Sequence, residues 1–270
     1  MGINIAANNF GISYDLLYYT PQDLTEKFAA EIAGYSDVWA WIKARIAAQD
    51  WSGLMIGDYI PFTMNSNIVK AQIAGIDCYN NTYGSINGHH IDFISMDCYP
   101  DVVKWNTTDV NQGTAAEGSP WKVSNLYSTL NNSWYNYLPA ALKNVIVQKR
   151  FLAETRYSSS GALSSSNSWE WKEIGKLWVP SEFEVFGSCL WSTPTYAAGQ
   201  AMQYPIFANT WKYRVKGAGN GGSRCDWWLL TASGFSSSAA CRVGYTGYAG
   251  SSAASGGIYS FCVPVCFRIS

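Results

Sequence analysis

Seven cysteines, two adjacent histidines and a few closely spaced carboxylates are the groups in this chain whose types could carry chemistry. His89 and His90 stand near Asp77, Cys78 and Asp92, a set rich in metal-ligating atoms. Adjacent residues on a strand point to opposite faces, so the pair reads as a loop-to-strand junction rather than one shared site. Glu182 and Glu184 have the spacing of an acid–base pair. Ser181-Glu182-Phe183-Glu184 is also a capping box, in which Ser181 caps the Glu184 amide and Glu184 bonds back, and this accounts for Glu184 without catalysis. Gly217-Ala218-Gly219-Asn220-Gly221-Gly222 matches the phosphate pattern G-x-G-x-x-G but opens no helix, and reads as a flexible loop. Cys262 and Cys266 fall on one face of an apparent strand in apolar surroundings, where burial raises a thiol and leaves it inert. No G-x-S-x-G elbow exists, and the serine-rich C-terminal region has no histidine to activate a serine. No catalytic residue, metal or cofactor is assigned, and a non-enzymatic protein is expected.

The last sixty residues offer a different chemistry. Two apolar runs, Trp227-Trp228-Leu229-Leu230 and Phe261 to Ile269, bracket a long polar arc. From Thr231 to Ser260, 20 of 30 residues are Gly, Ala or Ser, with Phe235, Tyr245, Tyr248 and Tyr259 among them. Serine and glycine give adaptable hydrogen bonds, and tyrosine gives a stiff contact surface at low entropic cost, as in an antibody paratope. Phe235, Ser237, Arg242, Tyr245, Tyr248, Ser252 and Tyr259 are the candidate ligand-binding residues, in a displayed segment spanning 228–261. Connecting loops without a partner, and rings that pack inward, read as well from composition.

These residues need elements to position them. Thr20-Pro21-Gln22-Asp23 predicts a helix start with Thr20 as N-cap, then Leu24, Phe28 and Ile32 at every fourth position and Gly34 as the stop. A second helix from Ser36 or Asp37 carries Val38, Ile42 and Ile46 on one face. Strands follow at 57–62, 68–76 and 90–96, with a polar hairpin loop over 80–88. A polar excursion spans 101–120. Helices are predicted over 124–134 and from Pro139, and strands over 151–156 and 176–180. Residues 158–168 form a serine-rich loop. The chain therefore divides into an N-terminal arm with helices over 1–50, suited to attachment or oligomerisation, and a domain over 51–270.

Composition narrows the function. Charged residues make up 14% of the chain and aromatics 16%, with net charge −1. That excludes the basic footprint of nucleic-acid binding. So many rings with so little charge suit paired surfaces, so a homo-oligomer such as a trimer, or contacts with other assembly proteins, is expected. No apolar run is long enough to insert in a membrane. No secretory signal is visible, so the chain is expected to be made in the cytoplasm with reduced thiols.

Several features line up in order: Gly57-Asp58, Ala74-Gly75-Ile76-Asp77, Trp121, Leu130-Asn131, Leu177 to Val185, Tyr213-Arg214, Trp227-Trp228-Leu229, Val243-Gly244 and Val263 to Ile269. Over residues 50–270 the chain resembles a family of domains from gut bacteria and their phages that ends in W-W-L-R-S-P, V-x-x-x-G and G-V-x-P-A-F. That family is similar to the C-type-lectin fold of phage receptor-binding proteins, including the variable proteins of diversity-generating retroelements. Here Leu230-Thr231-Ala232 replaces Arg-Ser-Pro and Cys262-Val263 replaces Gly-Val, so the role of that arginine does not carry over. The resemblance implies an α+β fold with a C-type-lectin-like, mixed and mostly antiparallel sheet, flanking helices and long loops. It implies a receptor-binding, host-recognition module on a virion surface, tail or capsid, whose partner is a host cell-surface protein or glycan. The calcium–sugar motifs of true lectins are missing, Trp105-Asn106-Thr107 being a displaced near match. A purely structural virion or cell-surface subunit is the alternative, and an enzyme of the formylglycine-generating type on the same fold is the second.

Overall fold

The computed structural model describes residues 19–79, 88–156, 168–192, 202–208, 210–254 and 261–270. Along the chain the first strands are β1 (Tyr59–Met64), β2 (Asn67–Ile76), β3 (Ile91–Ser95), β4 (Tyr99–Val103), β5 (Ile146–Val147), β6 (Arg150–Thr155) and β7 (Ser168–Glu173). Then come β8 (Lys216–Gly217), β9 (Arg224–Cys225), β10 (Trp227–Ala232), β11 (Ala239–Val243), β12 (Ala249–Ala253), β13 (Phe261–Val263) and β14 (Cys266–Ile269). One five-stranded sheet has the order β1-β2-β3-β14-β5, with every pair antiparallel. The second has the order β12-β11-β10-β13-β4, in which only β10 and β13 are parallel. This is the mixed, mostly antiparallel α+β architecture predicted from the sequence.

Burial follows the residue pattern. Strand β1 alternates, with Ile60, Phe62 and Met64 inward, as a strand with one covered face must. Strands β10 and β14 are buried at every position, which suits inner strands covered on both faces. The closing segment is two strands rather than one. Pro264 lacks an N–H to continue the ladder, and between Val263 and Cys266 the chain passes from the second sheet into the first. Cys262 and Cys266 therefore lie in different sheets, which corrects the single-strand reading.

The first helix begins at Leu24, capped by Asp23 through the Thr25 amide at 2.8 Å, and not by Thr20. The second helix is Val38–Ala47, starting next to the predicted Ser36 or Asp37, and Asp37 caps it through the amides of Trp39 and Ala40. Trp39 meets Phe62, Phe93 and Phe267 edge-on at 5.7–6.4 Å, so this helix shares the core of the first sheet. The predicted helix over 124–134 is interrupted. A standard turn over Asn125–Ser128 gives way to a wide turn over Thr129–Trp134, from which Asn131 bonds Leu177 and Lys176. The predicted strand over 176–180 reduces to one bridge, Trp178 with Cys266. The polar excursion contains β4 up to Val103. The predicted loops at 80–87 and 158–167 fall outside the described residues.

At the centre of the first sheet lies an ionic network. Arg268 on β14 grips Asp92 on β3 with two bonds of 2.7 Å, and both are buried. Tyr204 donates to the same carboxylate at 2.7 Å and accepts from Lys149 at 2.7 Å. Lys149 also pairs with buried Glu184, which accepts from Tyr79 at 2.8 Å. Four rings surround the ammonium, the Trp178 centroid being nearest at 3.9 Å. Burial alone would raise the Asp92 carboxyl. The charge and hydrogen bonds of Arg268 outweigh it and hold the group well below the usual carboxylate range. Burial, then the charge of Arg268, lowers the His90 pKa and disfavours its charged form.

Arg268→Met is expected to cost about 3–5 kcal/mol, because Asp92 stays buried without its partner; urea denaturation measures it. Acid should act in two windows. Below about pH 6.5 the unfolded chain protonates His90 while the folded chain resists, so stability falls with pH, and His90→Gln should flatten that slope. Asp92 contributes fully above about pH 4, and its contribution is lost only as pH falls below that.

Candidate functional site

Within the arc between the two apolar runs, β11 and β12 form an antiparallel strand pair, and residues 255–260 lie outside the described residues. Ala239, Ala240, Cys241 and Val243 of β11 are buried, as is Ala254 after β12. Arg242 alternates to the opposite side from Cys241 and Val243, opposite Trp228 on β10 and Gly250 on β12. A Cβ at position 250 would lie 3.1 Å from the guanidinium carbon, so glycine there leaves room for the arginine to lie across the sheet.

Arg242 is fixed from every side. Its Nε donates to Ser252 at 2.8 Å and its Nη1 pairs with Asp226 at 2.9 Å. Both terminal nitrogens donate to the Tyr248 hydroxyl at 3.3 Å. The guanidinium lies 5.3 Å from the Tyr248 ring centroid and 5.5 Å from that of Phe261, within cation–π range of both. Tyr245 joins the cluster by donating its amide to Asp226 at 2.6 Å. Tyr245 is 53% and Tyr248 46% exposed, whereas the Arg242 side chain is only 15% exposed. The face thus presents two open tyrosines beside a held positive charge.

The other predicted residues lie apart. Phe235, 67% exposed, and exposed Ser237 sit on the loop between β10 and β11. Phe235 packs edge-on against Trp191 at 6.2 Å. Asn111 holds this loop by donating to the carbonyls of Ser233, Ser236 and Ala239 while accepting from Arg156 at 3.1 Å. Glu182 orders the neighbouring turn, accepting from the amides of Leu190, Trp191 and Ser192 at 2.8–3.0 Å. Of the seven predicted contacts, Arg242, Tyr248 and Ser252 form one cluster with Tyr245 beside it. Phe235 and Ser237 form a second edge, and Tyr259 lies outside the described residues. Asp226, Phe261, Trp191 and Asn111 escaped the sequence reading, because each acts through pairing with distant chain.

The remaining chemical candidates resolve as structure. The capping box of Ser181 and Glu184 is present, and Gly187 ends that helix in the left-handed region. Glu184 belongs to the lysine network and Glu182 to the amide nest, so the two carboxylates do not face a common space. His89 pairs with Asp77 at 2.7 Å, and His90 contacts the Gly88 carbonyl and the Tyr79 amide through its two ring nitrogens. The glycine run is no flexible loop. It forms the hairpin β8-β9, turned at Asn220-Gly221 with φ of 61° and 76°, the positive pair that Asn-Gly favours.

Cysteine placement overturns another expectation. The thiol sulfurs of Cys98, Cys225 and Cys262 all lie within 4.8 Å of one another, brought together from the lead into β4, from β9 and from β13. Hydrogen bonds from Cys225, then from Cys98, pull the Cys262 thiol down rather than up, and its bond to Cys262 pushes Cys225 upward. Cys266 behaves as predicted, raised by burial.

Fold and site together define an α+β protein that carries a fixed arginine–tyrosine face on the edge of its second sheet. The chain belongs to the family described as a domain of unknown function, DUF6273, whose model matches residues 101–270. No curated protein and no solved structure matches the chain. The matched segment supplies the whole second sheet except the start of β4, and it leaves out β1, β2 and β3 of the first.

Asn111→Ala is expected to leave the Ser236 carbonyl without its donor and Arg156 without one acceptor, while the Ser233 carbonyl keeps Arg156 and the Ala239 carbonyl keeps the Ser233 amide, at about 1–3 kcal/mol. Hydrogen exchange should then quicken at the amides of 233–239 while β10 stays protected.

Proposed function

We propose that this protein is a non-enzymatic ligand-binding subunit, a receptor-binding module of the C-type-lectin type carried on a phage surface. The observation that supports it best is the state of Arg242. Its geometry is set in advance by Asp226, Ser252, Tyr248 and Phe261, so little ordering is left for a partner to impose. Open tyrosines beside a held guanidinium are the groups enriched where proteins meet partners, and they suit a host cell-surface protein or the polar face and hydroxyls of a glycan. The substrate of variation would be the exposed positions of the arc, since the buried Ala239, Ala240, Cys241 and Val243 of β11 serve the core. Among the described residues no helix is long and apolar enough to cross a membrane.

A second reading, a structural subunit that buries this face against its own copies, draws on Leu190, Trp191 and Phe235. These three apolar side chains are all exposed, at 49%, 40% and 67%. It predicts a concentration-dependent oligomer that Phe235→Ser with Trp191→Ser disrupts.

The first reading is tested with Tyr245→Ala, Tyr248→Ala and Arg242→Ala in assays on glycan arrays and gut-bacterial cell surfaces. Each is expected to weaken binding by about 2 kcal/mol, roughly 30-fold; the melting temperature should change little for the exposed Tyr245 and Tyr248 variants, whereas Arg242→Ala, which leaves Asp226 without its partner, should lower it. Binding that survives all three, or no binding by the parent protein to any cell or glycan, counts against it.

A further inference from the structure

Three thiols from distant parts of the chain meet under the edge of the displayed face, and core packing alone does not account for them. Cys98 precedes β4 and is fully enclosed, Cys262 sits in the middle of β13, and Cys225 ends β9 half-buried. Their three sulfurs stand within 4.8 Å of one another. Tetrahedral zinc bound at about 2.3 Å per sulfur sets its ligand sulfurs nearly 4 Å apart, so this spacing closes on an ion with small side-chain shifts. The backbone around the trio is held independently of the thiols. The Cys98 amide bonds the Gly217 carbonyl at 3.0 Å and the Cys262 amide bonds the Asp226 carbonyl at 3.0 Å. Lys216 pairs with Cys225 across the hairpin. A Cβ at Gly219 would lie 2.6 Å from the Cys98 carbonyl oxygen, so the hairpin reaches this close approach because the residue is glycine.

The surroundings suit bound thiolates. The Lys216 ammonium is buried beside Cys98 and Cys225, donating to the carbonyls of Ser95 at 2.6 Å and Met96 at 3.1 Å. Burial works against its charged form, and the negative charge that three thiolates carry around an ion would favour that form. A surface cleft of about 260 Å³, lined by Met96, Asp97, Cys98, Pro100 and the hairpin tip, gives a route from solvent. Among the described residues no histidine or carboxylate joins the group.

We infer that Cys98, Cys225 and Cys262 form a binding site for a single thiophilic d10 metal ion, Cu(I) or Zn(II), held by three thiolates. Soft sulfur donors select these ions over the harder divalent ones. Three-coordinate Cu(I) needs nothing further, whereas Zn(II) completes its tetrahedron with a water or another small ligand from the cleft. Every thiol still protonated gives its proton to solvent as its sulfur bonds the ion, and no oxidation is involved. The ion would tie β9 to β13 and β4. Asp226, which follows Cys225, and Phe261, which precedes Cys262, are the residues that hold Arg242. The site stands on the thiols alone and does not depend on the reading of the displayed face.

The test uses the full chain, reduced and made metal-free under anaerobic conditions. Cu(I) is titrated against a chromophoric Cu(I) chelator and Zn(II) against a zinc dye, in separate arms. One equivalent of one ion is expected per chain, with only sulfur and at most one light-atom neighbour by X-ray absorption. The partly exposed Cys225 thiol should become protected from a thiol-alkylating reagent when the ion is added, a readout that needs no variant. Cys225→Ser and Cys262→Ser, each checked for folding by circular dichroism, should weaken binding by about 100-fold or more, beyond the range for outer-shell partners. Cys189→Ser should bind as the parent does. Binding of neither ion by the parent overturns the site, as does binding that Cys225→Ser and Cys262→Ser leave unchanged.

Discussion

The first sheet depends on how one buried arginine is answered. Arg268 sits on the last strand, inside the sheet, where an unpaired guanidinium would cost several kcal/mol. Asp92 on the neighbouring strand meets it with two oxygens. The chain then extends the arrangement through Tyr204, Lys149 and Glu184 into the helix Glu182–Phe186. Each member bonds the next, with only Arg268 Nη1 of this chain of contacts left without a hydrogen-bond partner among the described residues, and the surrounding rings lie around the ammonium. A network of this kind fixes register. A shift of β14 by one residue would turn Arg268 to the other face and leave Asp92 alone.

That register fixes more than one sheet, because the same closing segment serves both. Residues 261–263 pair with β4 and β10, and residues 266–269 pair with β3 and β5. Anchoring β14 through Arg268 thus anchors β13, and β13 carries Phe261 beneath the Arg242 guanidinium. The displayed face is built on the half of the molecule farthest in sequence from Asp92, yet the short crossing at Pro264–Val265 joins the two. Stability and display are kept separate by position. Arg242 lies on the opposite side from Cys241 and Val243, but Ala240 and Trp228 on its side are buried too, so it is at the exposed Tyr245 and Tyr248 that a substitution meets solvent or a partner and not the packed interior.

The thiol cluster occupies the junction between these parts. Its three residues come from the strand that borders the second sheet, from the hairpin that precedes it, and from the closing segment. A metal ion there would act on the same positions as the hydrogen bonds from Cys98 to Gly217 and from Cys262 to Asp226. In this family's segment the glycine run therefore matters for closeness of approach and not for binding phosphate. Gly219 lets the hairpin lie against Cys98, and Asn220-Gly221 makes the turn that returns Cys225 to it.

Much of this was legible in the residues. The capping box at Ser181, the start of the second helix at Asp37, the strand at β1, and the bracketing runs around a Ser/Gly/Tyr arc all follow from local rules, in which a side chain answers to neighbours a few positions away, whereas β3 alternates in its residues but is buried at every position. Tyr245, Tyr248, Arg242 and Ser252 were legible as surface chemistry for the same reason. What only the tertiary structure decided were the pairings across long stretches of chain: Asp92 with Arg268, Asn111 with the loop at 233–239, Asp226 and Phe261 around Arg242, and Cys98 with Cys225 and Cys262. The apparent strand over Phe261 to Ile269 put Cys262 beside Cys266 on paper, but proline cannot extend a ladder, and the chain used Pro264 to leave one sheet for the other. Sequence determines which residues can be buried or displayed through their own polarity and period; which buried groups meet is set by strand order, and strand order is settled only when the whole core closes.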